Sequence, residues 1–155
     1  MRAELLPHTI SYINDEILIN SIYNDSYLKQ HLEQDGTVLE YFESEAIKHI
    51  GVYVGKELAG VFSVIEMPVD CEVHMALKKE YAIYSRSFAM MVMDLLFESG
   101  FNRISTSVND YARPVVNMLL KLGFKYEGKK RQAFIKNGIL YDVHMLGMLK
   151  EESHL

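Results

Sequence analysis

The hydrophobic pattern changes texture five times along the chain. In "SYINDEILINSIYNDSYLKQHLEQDG" the residues Ile13, Ile17, Leu18, Ile22, Tyr23, Leu28 and Leu32 recur at helical spacing, interrupted near Asn24-Asp25 and ended at Asp35-Gly36. Two short helices are predicted there. From Ile50, "IGVYVGKELAGVFSVIEM" holds two β-rich runs around Gly55-Lys56-Glu57, the pattern of a hairpin. "CEVHMALKK" continues as a strand with Cys71, Val73, Met75 and Leu77 on one face and Glu72, His74 and Ala76 on the other. "SFAMMVMDLLFESG" returns to helical spacing through Phe88, Met91, Leu95 and Leu96 and stops at Gly100. A strand, "FNRISTSV", leads into the helix "ARPVVNMLLKLG", with Pro114 in its first turn and Gly123 past its end. A long hairpin turning at Asn137-Gly138 completes the order α, α, β, β, β, α, β, α, β, β. Helices between strands favour parallel neighbours, and tight turns force antiparallel ones, so a mixed, twisted α/β (α+β) sheet flanked by helices is expected. Its central strand, carrying Glu72 and His74, should run parallel to Phe101–Val108 and splay from it.

Composition narrows the setting. With 155 residues, 49% of them hydrophobic, and no Pro- or Gly-rich linker, a single domain over 1–155 is expected. The net charge of -5 argues against a nucleic-acid footprint. No apolar run approaches the roughly 20 residues that cross a bilayer, and the start "MRAELLPHTI" lacks a signal-peptide core, so no membrane partner is expected. Cys71, the only cysteine, fits a reducing compartment and a cytoplasmic location, as a small core hydrophobe rather than a nucleophile.

The segments "FESGFNRISTSV" and "MLLKLGFKYEGKKRQAFIKNGILYDVHMLGM" resemble the C-terminal half of the GNAT-type N-acetyltransferases, in the variant common in bacterial and phage proteins. The resemblance spans roughly Ile50 to Leu149 and rests on joint order. Taken singly, Gly123 as a helix cap, Phe124 as a core anchor and Asn137-Gly138 as a turn serve any α/β protein. Lys129, Lys130 and Arg131 read as a solvated strand edge, where lysine discourages edge pairing.

The resemblance implies acetyl-CoA as co-substrate, with its pyrophosphate on an R/Q-x-x-G-x-G/A loop before the first long helix. That loop falls on Glu80–Ser85 here. Ser85 and Ile83 stand at the glycine positions and Glu80 at the basic one, while Arg86 is the nearby cation. Tyr84, Ser85, Arg86 and Ser87 are the expected phosphate contacts, with Ser85 and Ser87 as candidate helix caps. Strand amides from Met75, Ala76 and Leu77 are candidates to polarise the thioester carbonyl. The family's Tyr and Asn on the last helix are replaced by Leu119 and Ala112. Glu72 and His74, two apart on one strand face, are the candidate general-base pair, or else a structural one; Asp142 and His144 have the same spacing. The histidine spacing suggests no metal site. Two functions follow: N-acetyl transfer to an amine of a small molecule or a protein, or a GNAT-like binding or assembly module without cofactor. A homodimer is compatible with either.

Overall fold

A computed structural model describes residues 6–153; the first five residues, part of the start read above, lie outside the described residues. The chain forms β1 (His8–Ile13), α1 (Glu16–Tyr23), α2 (Ser26–Leu32), β2 (Ile47–Val54), β3 (Glu57–Glu66), β4 (Asp70–Leu77), α3 (Ser85–Glu98), β5 (Arg103–Asn109), α4 (Arg113–Leu122), β6 (Lys125–Lys136) and β7 (Ile139–Leu149). The strands make one seven-stranded sheet in the order β1-β2-β3-β4-β5-β7-β6. Every neighbouring pair is antiparallel except β4 and β5, which are parallel and connected through α3. The predicted mixed sheet and the parallel central pair are therefore present. The predicted order lacked one element, β1, which pairs along its whole length with β2.

Local chemistry accounts for most element ends. The carboxylates of Asp15 and Asp25 accept from the N–H groups of Leu18 and Leu28, each at 3.1 Å, and start α1 and α2. Gly123 closes α4 at φ 108°, which lets the Phe124 N–H reach the Leu119 carbonyl at 3.0 Å and swings Phe124 into the core. The Asn137-Gly138 turn has positive φ at both residues, as a two-residue hairpin requires. β6 forms the outer edge of the sheet, with Lys129, Lys130 and Arg131 exposed along it.

Two apolar layers cover the two faces. One packs α3 and α4 through Phe88, Val92, Leu96, Phe97, Leu119 and Leu122 against Val73, Leu77, Ile104, Leu146 and Met148. The other packs α1 and α2 through Ile19, Ile22 and Leu28 against Leu58, Val61 and Ala76. Full burial of each such side chain contributes about 1.5–3 kcal/mol. Cys71 lies in the first layer, and burial pushes its thiol pKa up to about 12, so it is a core residue with no thiolate character at neutral pH.

Gly123 tests the α4 terminus. Alanine there would hold a left-handed conformation and bring its Cβ to 3.1 Å from Met148 Cε. Gly123→Ala should lower unfolding stability by about 1–2 kcal/mol, read from the urea midpoint. An unchanged midpoint would show that this end of α4 is not held as described.

Candidate functional site

The site grows from the only parallel pair in the sheet. β4 and β5 share three rungs, Asp70 with Arg103, Cys71 with Ile104 and Glu72 with Ser105, and then part. Where they part, the Thr106 hydroxyl donates to the Val73 carbonyl at 2.7 Å and satisfies the group that a further rung would have used. Beyond it β4 runs on to Leu77 and β5 to Asn109 without pairing to each other. The Lys78 N–H donates to the Ala59 carbonyl of β3, whereas the Val73 carbonyl faces β5. Strand alternation then turns the backbone of His74 and Ala76 to β3 and that of Met75 and Leu77 into the fork. Of the three strand amides considered from the sequence, Ala76 is thus committed to the sheet and the other two front the opening.

Ionic contacts hold the paired end of the fork shut. Arg103 binds the Glu127 carboxylate through both terminal nitrogens, at 2.6 and 2.5 Å, and lies 3.4 Å from Asp70, which also accepts from the Ser105 hydroxyl at 2.8 Å. The pair crosses β7 at Gly147, where an added Cβ would lie 2.6 Å from Glu127. These bonds raise the Arg103 pKa further and lower that of Glu127. Asp70, Arg103 and Glu127 sit on three different strands, so no local sequence signal announced them.

On the face of α3 and α4, both helices begin at the open end of the fork. Between them is a groove of about 400 Å³ lined by Arg86, Pro114, Asn117, Met118 and Lys121. The Ser85 hydroxyl meets the Met118 sulfur at 3.4 Å and ties the two helices together. The expected loop at Glu80–Ser85 is instead a 3-10 turn, Lys79–Tyr84, running directly into α3. Because the turn continues into the helix, the Ser85 N–H is taken by the Ala82 carbonyl, and α3 has no side-chain cap. Ser85 and Ser87 therefore do not cap it, and Tyr84 occupies the cap position. Ile83 is 81% exposed, and its φ is not among the positive ones, so the turn holds it without the left-handed backbone that a glycine would take there. Tyr81 is fastened by its hydroxyl to Glu57, which pushes its pKa up to about 12. Asn117 and Lys121 were missed from sequence, although Pro114, Asn117, Met118 and Lys121 follow one helical stripe.

On the opposite face, Glu72 Oε2 and His74 Nε2 lie 3.0 Å apart, both part-exposed. This hydrogen bond, aided by the charge of Lys130, lowers the Glu72 pKa. The second pair does not form. His144 is buried and bonds through Nε2 to Asp110 at 2.7 Å and through Nδ1 to the Tyr126 hydroxyl at 2.8 Å. Asp142 instead accepts from the Gln132 N–H and faces Lys129. A carboxylate at Nε2 makes that nitrogen the donor, so Nδ1 accepts from Tyr126 and the trio pins the edge strand to the turn before α4. A depression of about 610 Å³ beside Arg131, Gln132 and Asp142 lies on the irregular stretch of this hairpin and not at the fork. Leu119, at the position of the family's Tyr, is buried in the core. Among the described residues no group of three His, Cys, Asp or Glu could hold a metal, and no helix is long and apolar enough to cross a membrane.

Glu72 carries a pH signature. Its folded pKa lies below the ordinary 4.5, so its contribution to stability is present above that value and is lost as pH falls through the folded pKa. Glu72→Gln should therefore flatten the acid limb of a stability-versus-pH curve measured by thermal melts; superimposable acid limbs would show that the His74 contact contributes nothing.

No protein-family model matches the chain. The SPbeta prophage-derived uncharacterized N-acetyltransferase YokL of Bacillus subtilis is 25% identical over 128 residues, covering 76% of this chain and 70% of that protein. Among solved structures, the spermidine N-acetyltransferase of Vibrio cholerae in complex with CoA and spermine superposes with a TM-score of 0.78 at 20% identity, covering 94% of this chain and 96% of that one. A probable GNAT-family acetyltransferase of Chromobacterium violaceum gives 0.75 at 15% identity, covering 94% and 88%. With its forked β4–β5 pair, the intervening helix α3 and the closing β6–β7 hairpin, the chain has the fold of the GNAT superfamily of N-acetyltransferases.

Proposed function

We propose that this protein transfers the acetyl group of acetyl-CoA to an amine. The observation that carries the proposal is the fork, which opens to both faces of the sheet: a groove with Arg86 and Lys121 lies on one side and the Glu72–His74 pair on the other. An extended ligand can bind the free backbone groups of Met75 and Leu77 as a strand would. The cationic groove suits a phosphorylated tail, and it supplies the charge that Glu80 does not.

Acetyl-CoA supplies the activated acyl group, and the residues do the rest. An N–H in the fork donates to the thioester carbonyl oxygen as negative charge develops there. His74, oriented by the Glu72 carboxylate, takes the proton of the incoming ammonium. The amine nitrogen bonds to the acyl carbon, the carbon–sulfur bond breaks, and the second proton of that nitrogen passes to the departing thiolate, which leaves as the thiol. With leucine at position 119, no phenol is available on α4 at that point, so holding the two reactants in line must account for much of the rate.

One observation favours a second reading, a GNAT-like module that binds no cofactor: the 3-10 turn already occupies the Ser85 amide that a phosphate would use. Calorimetric titration with acetyl-CoA separates the two. Binding is expected, with Arg86→Glu about tenfold weaker, a loss of about 1.4 kcal/mol, and Glu80→Arg tighter. A ligand at about 100 times its Kd should also add about 2.7 kcal/mol of thermal stability. No heat and no thermal shift at millimolar acetyl-CoA would select the module, and binding unaltered by either substitution would move the phosphates elsewhere.

A further inference from the structure

We infer that the acceptor amine also carries an anionic group, which Lys130 receives while His74 receives the amine; this rests on the acetyl-transfer reading above. Sheet register puts the two residues on one face. In the paired part of the fork Glu72 lies beside Ser105. Further along β5, Ser107 and Asn109 share the face of Ser105, and Asn109 pairs with Val143, which pairs in turn with Lys130 on β6. The alternate residues Ile104, Val108, Leu146 and Met148 enter the layer beneath α3 and α4, so this row points the other way. The layer beneath α1 and α2 draws on β3 and β4 through Leu58, Val61 and Ala76. The strip from Ser107 through Val143 to Lys130 lies outside both helix-packed layers.

The charges on β6 are matched within the protein except at this point. Lys125 pairs with Glu152 and Lys129 with Asp142, whereas among the described residues Lys130, exposed on the strand, has no ion-pair partner. Its charge nevertheless reaches the site: the His74 hydrogen bond lowers the Glu72 pKa, and the Lys130 ammonium lowers it further. An acceptor with its nitrogen at His74 therefore lies in the field of Lys130. The carboxylate offered to that nitrogen, Glu72, is already hydrogen-bonded to His74, so a second ammonium on the acceptor would meet the unpaired lysine without a carboxylate of its own. An anionic group reverses the sign of that interaction and supplies the counter-charge that Lys130 lacks. The flexible stem and three donors of lysine suit a carboxylate or a phosphate alike, met as a point charge.

The test measures acetyl-CoA-dependent acetylation of 3-aminopropanoate, 4-aminobutanoate, 5-aminopentanoate and 2-aminoethyl phosphate, each against the alkylamine and the diamine of the same carbon count. In the wild type the best anionic acceptor should exceed its matched alkylamine by about tenfold or more in kcat/KM, with the diamine below both; which anion leads tells a carboxylate from a phosphate. Lys130→Met should abolish that advantage through KM and leave the alkylamine within about twofold, and Lys130→Glu should invert the order so that the diamine leads. A merely structural role for Lys130 would instead lower all acceptors together. Such a uniform loss, an alkylamine that equals every anionic acceptor in the wild type, or an advantage that survives both substitutions would overturn the inference. If acetyl-CoA binds by calorimetry yet the anionic acceptors are not favoured or do not turn over, the acceptor assignment fails alone; if acetyl-CoA does not bind, the acetyl-transfer reading fails and takes this inference with it.

Discussion

The parting of β4 from β5 after Glu72 and Ser105 is the constraint on which the rest depends. Parallel strands that separate leave backbone donors and acceptors without a ladder, and such groups must find other partners or face solvent or ligand. At the fork point Thr106 answers this need for Val73, and further out Met75 and Leu77 remain turned to the opening. The separation persists because the closed end is clamped. Arg103 reaches Asp70 on the adjoining strand and Glu127 across the bare backbone of Gly147, so three rungs and an ionic bridge fix one end. At the other end 3-10 turns and helix starts follow the strand ends: the turn at Lys79–Tyr84 follows β4, and the turn at Asp110–Ala112 follows β5.

From the fork the two faces acquire different chemistry. The α3 and α4 face is apolar beneath and cationic at the rim, with Arg86 and Lys121 beside the groove. The α1 and α2 face bears Glu72 and His74, and the Asn137-Gly138 turn of the hairpin donates both its N–H groups to the carboxylate of Asp35, just past α2. Under the proposed acetyl transfer, this separation lets each reactant approach the reacting centre from its own side. The Tyr126–His144–Asp110 trio serves the same geometry at a distance by tying the edge strand to the turn that precedes α4.

What could be seen in the sequence was what local chemistry decides. The turns at Gly55-Lys56 and Asn137-Gly138, the glycine ends of α3 and α4, and the face shared by Glu72 and His74 are all set by residues within a few positions of one another. β1 was not legible, because "HTISYI" has weak alternation and becomes a strand through pairing with β2, some forty residues on. Ser85 and Ser87 looked like caps, but a 3-10 turn running into α3 puts both inside its first turn and leaves that role without a vacancy. His144 paired with Asp110 in place of Asp142 because the alternation that places Asp142 and His144 on one strand face says nothing about which side chains from other elements arrive there. Asp35 and the turn it holds are 102 and 103 residues apart, beyond the reach of any pattern read from one sequence.

Residue-resolved amide hydrogen exchange of β4 tests the open fork most directly. In the ligand-free protein, Ala76 and Lys78, which face β3, should exchange slowly, and Met75 and Leu77, which face the opening, should exchange much faster. Equal, strong protection of all four amides would mean that β4 is paired on both sides and that the fork, with the function built on it, is absent.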